Sequence, residues 1–134
     1  FNLSVLAGPG GSVVLPHAEI LFQNYPPDKP RIVDYRAKWL EGSFEYENTP
    51  RSFDFPPSDG PLLARLESLA LAAFGAFRMR GYARVDFRVD RDANPWILEI
   101  NANPCLTPDG GFTAAAQRAG LSYEAMIHRI IGDM

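Results

Sequence analysis

Arg84-Val85-Asp86-Phe87-Arg88-Val89 and Trp96-Ile97-Leu98-Glu99-Ile100-Asn101 decide the reading of this chain. Each stretch alternates around its polar residues, and Asp92-Ala93-Asn94-Pro95 between them is a turn signal. That is a β-hairpin pattern. A hairpin folded about Asp92 and Ala93 opposes Asp86 to Glu99, Arg84 to Asn101, Phe87 to Leu98 and Val85 to Ile100. Directly opposed residues share a face of the sheet, and successive residues alternate faces. Val85, Phe87, Leu98 and Ile100 then make a core face, while Arg84, Asp86, Glu99 and Asn101 gather on the other. Two carboxylates and an amide oxygen suit a hard divalent cation such as Mg²⁺. An arginine beside them suits a phosphate or a developing oxyanion. The plain alternative is a solvated face of cross-strand charge pairs. Against it, Asp86 opposite Glu99 sets like charges face to face, which destabilises a purely structural sheet. Everything here depends on register, because a slip of one residue sends these groups to opposite faces.

The rest of the composition narrows the class. The chain has 134 residues, 46% of them hydrophobic, a net charge of −3 and one cysteine. That length is one domain or a piece of a larger one, and the apolar content supports a core. The acidic balance gives no electrostatic footprint for nucleic acid. A single cysteine excludes an internal disulfide and suits a reducing, cytoplasmic setting. No apolar run reaches the roughly 18 residues of a membrane span, and no signal peptide is visible. Neither nucleic acid nor membrane is therefore expected among its partners. The opening at Phe1, without Met and inside an alternating pattern, reads as a fragment.

Along the chain, residues 1–6 read as a strand, Gly8-Pro9-Gly10-Gly11 as a turn, and residues 12–15 as a second strand limited by Pro16. Residues 19–23 continue as strand and residues 24–30 are Pro-rich loop. Residues 31–35 read as a short strand. Residues 36–60 show no steady period and read as a long surface loop, of the kind that is often functional. Pro61 marks a helix start. Leu62, Leu63, Leu66, Leu69, Ala70, Ala73, Phe74 and Phe77 keep its stripe, Gly75 suggests close packing, and Gly81 ends it. After the hairpin come a loop over residues 101–111 and a short helix over residues 112–119. Ser122 caps a last helix whose Met126, Ile127, Ile130 and Ile131 face inward. This order predicts an α+β fold with a mainly antiparallel sheet and flanking helices. His17 and His128 read as structural or exposed.

Arg84-Val85-Asp86-Phe87 with Leu98-Glu99-Ile100-Asn101-Ala102-Asn103-Pro104 resembles the ATP-grasp ligases, and more narrowly their D-alanine–D-alanine ligase branch. Asp34-Tyr35-Arg36-Ala37-Lys38-Trp39 is similar to that branch's Tyr-x-Ala-Lys segment. Ala114-Ala115-Ala116, Ala119-Gly120-Leu121-Ser122 and the Ile-rich last helix are similar to its C-terminal end. The resemblance implies that residues 1–134 are a partial ATP-grasp domain, the C-terminal lobe, with the first ATP-binding lobe and the N-terminal substrate domain absent. It implies a C–N ligase using ATP and two Mg²⁺ ions, with Mn²⁺ as a substitute, working through an acyl phosphate in cytoplasmic peptidoglycan and cell-wall synthesis. Asp86, Glu99 and Asn101 fall on metal-ligand positions, and Glu99 and Asn101 also on nucleotide-binding ones. Arg84 matches the arginine that stabilises the oxyanion. Lys38 matches a lysine near the transferred phosphate in a mobile covering loop.

The chain also departs from that branch. Cys105 stands where glycine is usual, and either keeps the backbone donor for the oxyanion or is a plain buried thiol. Trp39 stands where tyrosine is usual, and either packs under the loop or shapes the amine-side pocket. Asp109-Gly110-Gly111 replaces a segment whose serine holds the second substrate's carboxylate. The alternatives are therefore an ATP-grasp ligase for another amino acid or peptide, or a non-catalytic binding module. A fragment of this kind is expected to be inactive alone and to self-associate or form a homodimer.

Overall fold

The alternating stretches become strands and the apolar stripe becomes a helix laid across them. In chain order the elements are β1 (Asn2–Leu6), β2 (Val13–Val14), β3 (Glu19–Ile20), α1 (Tyr35–Trp39), α2 (Phe44–Glu47), β4 (Arg51–Ser52), α3 (Gly60–Ala76), β5 (Tyr82–Val89), β6 (Pro95–Asn101), α4 (Gly111–Arg118) and α5 (Tyr123–Gly132). A 3₁₀ turn at Pro57–Asp59 leads into α3. This is a computed structural model, and it describes residues 1–133. The chain divides into two units, residues 19–54 and the remainder.

The larger unit holds a four-stranded antiparallel sheet in the order β2-β1-β5-β6. Every second residue of β5, namely Ala83, Val85 and Phe87, is buried. They join Leu3 and Val5 of β1 against Leu66, Ala70 and Phe74 of α3. Those three helix positions recur at i, i+4 and i+8, which puts one stripe on the sheet. Leu3, Leu66 and Val85 are completely excluded from solvent, each contributing about 1.5–3 kcal/mol by burial. Helix α5 is fastened to the strand ends. Arg129 Nε donates to the Ala7 carbonyl at 2.8 Å, and Asp133 Oδ2 accepts from the Gly81 N–H at 2.8 Å. A Cβ on Gly8 would meet Arg129 Nε at 2.5 Å, so only glycine lets the arginine lie there.

The smaller unit is a two-stranded β3–β4 ribbon, extended by bonds from Leu21 N to Pro50 O and from Gln23 N to Asn48 O. It also carries the short helices α1 and α2. Asp34 caps α1 by accepting from the Ala37 N–H, and Ser43 caps α2 by accepting from the Tyr46 N–H. Tyr25 packs edge-on to Phe22 at 5.1 Å and tilted to Phe44 at 5.3 Å.

Several expectations are corrected. The strand expected over residues 31–35 is absent, and Tyr35 instead opens a helix. The expected loop over residues 36–60 contains α2 and β4. These elements are four residues or fewer and show no period; the Ser43 cap specifies α2, and pairing with β3 specifies β4. The strands expected at residues 12–15 and 19–23 shrink to two residues each. Helix α3 stops at Ala76, before Gly81, because Arg78 takes a left-handed φ of 50°. Phe77 thus leaves the stripe and is exposed. Gly75 has open space around it, so close packing is not its reason. Ile131 is exposed while Met126 and Ile130 are buried. Among the described residues no helix is long and apolar enough to cross a membrane.

Candidate active site

The hairpin reaches the expected face by a different route from the expected one. Its loop is three residues, closed by the Asp90 N–H on the Asn94 carbonyl at 3.0 Å, with Ala93 left-handed at φ 59°. Asp90 organises that loop: Oδ1 accepts from the Asp92 and Asn94 N–H groups, and Oδ2 from the Trp96 indole N–H at 3.1 Å. These bonds hold the Asp90 carboxyl below its usual pKa, the Asn94 and Trp96 donors contributing most. From this loop the register opposes Phe87 to Ile97 and not, as expected, to Leu98. A β-bulge then absorbs Leu98, and beyond it Asp86 faces Glu99, Val85 faces Ile100 and Arg84 faces Asn101. The expected core role of Leu98 is therefore corrected: it is 66% exposed.

Four side chains share the polar face. Arg84 Nε donates to Asp86 Oδ1 and Nη2 to Asp86 Oδ2, each at 2.7 Å. This is the forked, charge-assisted geometry of a planar guanidinium on a carboxylate. Burial works against the Arg84 charge, but Asp86 and then Glu99 outweigh it and hold its pKa above the ordinary value. Asn2, opposite Asp86 on the neighbouring strand, donates a third bond to Asp86 Oδ1 at 2.8 Å. Glu99 is exposed and Asn101 half-buried. Asn101 Oδ1 accepts from the Asn103 N–H at 2.9 Å, and Asn103 Oδ1 accepts from the Tyr82 hydroxyl at 2.7 Å. The Tyr82 ring meets Phe112 of α4 edge-on at 5.4 Å.

The loop after β6 borders this face. Cys105 is exposed, which overturns the buried-thiol alternative. Its Sγ lies 3.2 Å from Thr107 Oγ1. Hydrogen bonding from the Thr107 side chain and backbone pulls the thiol pKa down, with a smaller contribution from Arg84. Gly110 caps α4 where a Cβ would stand 3.0 Å from both the Cys105 and Thr107 carbonyls. On the other side, Glu99 and Ile100 line an open pocket of about 350 Å³ with Phe77, Met79, Ile97 and Leu98.

Arg84, Asp86, Glu99 and Asn101 are therefore brought together, with Cys105 alongside. Lys38 and Trp39 lie on α1 in the smaller unit, both exposed. His17 is half-buried, with Nε2 3.8 Å from Glu67 Oε2, and His128 is exposed on α5. Sequence patterning singled out none of Asn2, Tyr82, Asp90, Asn103 and Thr107. The one usable signal was the polar alternation of Asn2 and Ser4 in β1, which needed the β1–β5 pairing to acquire meaning.

The donor set fits a Mg²⁺ site of the shared type. Mg²⁺ takes one or two protein carboxylates and leaves its other positions to waters and phosphates. Glu99 and the second lone pair of Asn101 Oδ1 are open to a cation. Asp86 has three of its roughly four acceptor positions occupied, so one remains. Among the described residues no group of three or more His, Cys, Asp or Glu is placed to hold a metal by itself.

The family model described as "D-ala D-ala ligase C-terminus" matches residues 2–132. A D-alanine--D-alanine ligase of Synechococcus sp. (strain JA-2-3B'a(2-13)) is 36% identical over 133 residues, covering 98% of this chain and 36% of the relative. An uncharacterised protein, y4sG, of Sinorhizobium fredii is 40% identical over 100 residues, 75% of this chain and 28% of its own length. Among solved structures, D-alanyl-alanine synthetase A of Vibrio cholerae O1 biovar eltor superposes with a TM-score of 0.72 at 16% identity, over 98% of this chain and 37% of that one. A Bacillus anthracis D-alanine--D-alanine ligase complexed with ATP gives 0.66 at 22% identity, over 98% of this chain and 36% of that one. The chain thus spans about a third of the length of the relatives it matches. With the sheet, the helix order and the family model in agreement, this chain belongs to the D-alanine–D-alanine ligase C-terminal family of the ATP-grasp fold.

Proposed function

We propose that the chain carries the metal-holding and oxyanion-stabilising side of an ATP- and Mg²⁺-dependent carboxylate–amine ligase. The observation that carries this reading is the gathering of Arg84, Asp86, Glu99 and Asn101 on one rigid sheet face, with like charges directly opposed. Bound Mg²⁺ supplies charge neutralisation on the phosphates and a template for their oxygens. In the reaction, ATP phosphorylates a substrate carboxylate, ADP leaves, an amine attacks the acyl phosphate, and phosphate departs as the amine loses a proton. Glu99 and Asn101 hold the cation, and Asp86 completes the set with its remaining acceptor position. Arg84 stays charged at any working pH and faces the negative charge that develops at the acyl carbon's oxygen. Cys105 supplies a backbone donor to the same oxygen. Lys38, a flexible cation without a partner among the described residues, neutralises the transferred phosphate.

The D-alanine–D-alanine reaction, in cytoplasmic cell-wall precursor synthesis, is the first assignment. Asp109 beside Gly110, and Trp39 on α1, favour a second reading in which the amine substrate is another amino acid or a peptide. Presented alone, the 134 residues are proposed to release no phosphate from ATP, because catalysis needs both reactants held in register. The reading also includes self-association through the unpaired edge of β6, where Trp96 is 61% exposed; sedimentation at high concentration checks it.

The test is ATP-dependent phosphate release by a protein of the relatives' full length that carries this chain, with D-alanine and with other amino acids. Release with D-alanine that falls by about 10²-fold or more in Glu99→Gln and Arg84→Ala supports the reading, since single transition-state donors contribute about 10²–10³. Release with a different amino acid moves the substrate and keeps the site. No release with any amino acid, or full activity in both variants, overturns it.

A further inference from the structure

The smaller unit contains an ion cluster that the proposed chemistry does not use. Glu45 on α2 is 7% exposed, among the most buried charges described. Its Oε1 accepts from Lys29 Nζ at 2.7 Å and its Oε2 from Arg36 Nε at 2.9 Å. Lys29 is held besides over two rings, 5.7 Å from the Tyr25 centroid and 5.4 Å from that of Phe44. A buried carboxylate of this kind is costly unless both oxygens are paired, and here each takes its own cation.

The position of Arg36 gives the cluster its meaning. Arg36 sits on α1 two residues before Lys38, and residues two apart on a helix point roughly 200° away from each other. Holding Arg36 Nε on Glu45 therefore turns Lys38 away from the cluster; Arg36 itself stays 53% exposed along its side chain, and Lys38 is exposed too. Ala37, between them, is buried at 8%. Further contacts join the same two helices: Ser43 Oγ donates to the Arg36 carbonyl at 3.2 Å while capping α2. Thr49 Oγ1 donates to the Glu45 carbonyl at 2.7 Å. A five-residue helix is too short to hold itself in water. Its direction is set by what it is fastened to.

We propose that Glu45 is a positioning residue: by bridging Lys29 and Arg36 it fastens α1 to α2 and sets the direction in which Lys38 and Trp39 are presented. The functional half of this inference rests on the reading of Lys38 given above; the mechanical half rests on the ion cluster alone.

Two measurements separate the halves. The first is limited trypsin digestion of the chain, following cleavage after Lys38. Glu45→Gln keeps the shape and removes the charge, and it is expected to speed that cleavage several-fold. Arg36→Met is expected to do the same, and Arg36→Lys, which keeps a cation for Glu45, to restore slow cleavage. Unchanged cleavage in Glu45→Gln, with thermal unfolding like that of the unchanged chain, overturns the fastening. The second measurement is phosphate release by the full-length protein. Glu45→Gln is expected to lower kcat about tenfold or more, within the roughly 10²-fold that a misplacement remote from the chemistry costs, with little change in KM for the amine substrate. Faster cleavage with unchanged kcat overturns the presentation of Lys38 as the purpose of the cluster. Full activity in Lys38→Met overturns the reading of Lys38 itself and leaves the fastening standing on its digestion result.

Discussion

Asp86 is the most heavily engaged side chain of the site. Two bonds from Arg84 and one from Asn2 leave its carboxylate one acceptor position. The identities of Arg84, Asp86, Glu99 and Asn101 were legible as a constellation because strand alternation is a local property of the chain. Asn2 was not, because it acts from a strand more than eighty residues away. Cys105 allows a direct check at this scale. Its thiol is exposed, and the Thr107 hydroxyl and backbone lower its pKa. More thiolate is therefore present at neutral pH than in an ordinary cysteine, and alkylation depends on thiolate. Iodoacetamide labelling near pH 7 is expected to exceed that of a free cysteine, with its rate midpoint shifted to lower pH. Thr107→Val should slow it several-fold and return the midpoint upward.

At the scale of the element, the hairpin is a three-residue loop plus one bulge. The loop alone would leave Glu99 opposite Val85, on the core face; the bulge restores Glu99 to the face of Asp86 by setting Leu98 aside. A simple two-residue turn yields the same three pairs, which is why the polar face was legible while the environments of Leu98 and Ile97 were not. Bulges recur at sheet edges and next to sites, where they re-aim side chains, and β6 is an edge strand. The left-handed Ala93 is the strained member of this arrangement. A left-handed conformation costs an L-residue about 1–2 kcal/mol and costs glycine almost nothing. Ala93→Gly is offset by the added freedom of glycine in the unfolded chain, so a net stabilisation of up to about 1 kcal/mol is expected. Denaturant unfolding checks it, and destabilisation would show that the loop closes some other way.

At the scale of the whole molecule, ionisation links pH to stability differently in the two units. In the larger, burial lowers the pKa of His17, and Glu67 only partly counters it. The folded state therefore resists a proton that the unfolded state accepts near pH 6.5. Stability is expected to fall as pH drops through that value, by at most about 1.4 kcal/mol per pH unit for one proton. His17→Gln should flatten the slope measured by denaturant titration between about pH 5 and 7.5. In the smaller unit the hydrogen bonds from Lys29 and then Arg36 hold Glu45 down to a pKa of about 2. Its contribution is complete above the usual carboxylate range and is lost as pH falls through that range toward the folded value. Denaturant unfolding should register this loss progressively as pH falls below the usual carboxylate range, and Glu45→Gln should abolish it.

The sequence by itself determined the strands β1, β5 and β6, the alternation of β5, the apolar stripe from Leu66 to Phe74, the Ser122 cap and the company of Arg84, Asp86, Glu99 and Asn101. All of these are periodic or local, so neighbouring residues are enough to specify them. Only the tertiary structure decided that Asn2 reaches Asp86, that Leu98 stands out in solvent, that Arg129 ties α5 to the end of β1, and that Glu45 binds two cations around a five-residue helix. Each of these depends on which distant backbone lies alongside, and long-range pairing leaves no periodic trace in the residues that make it.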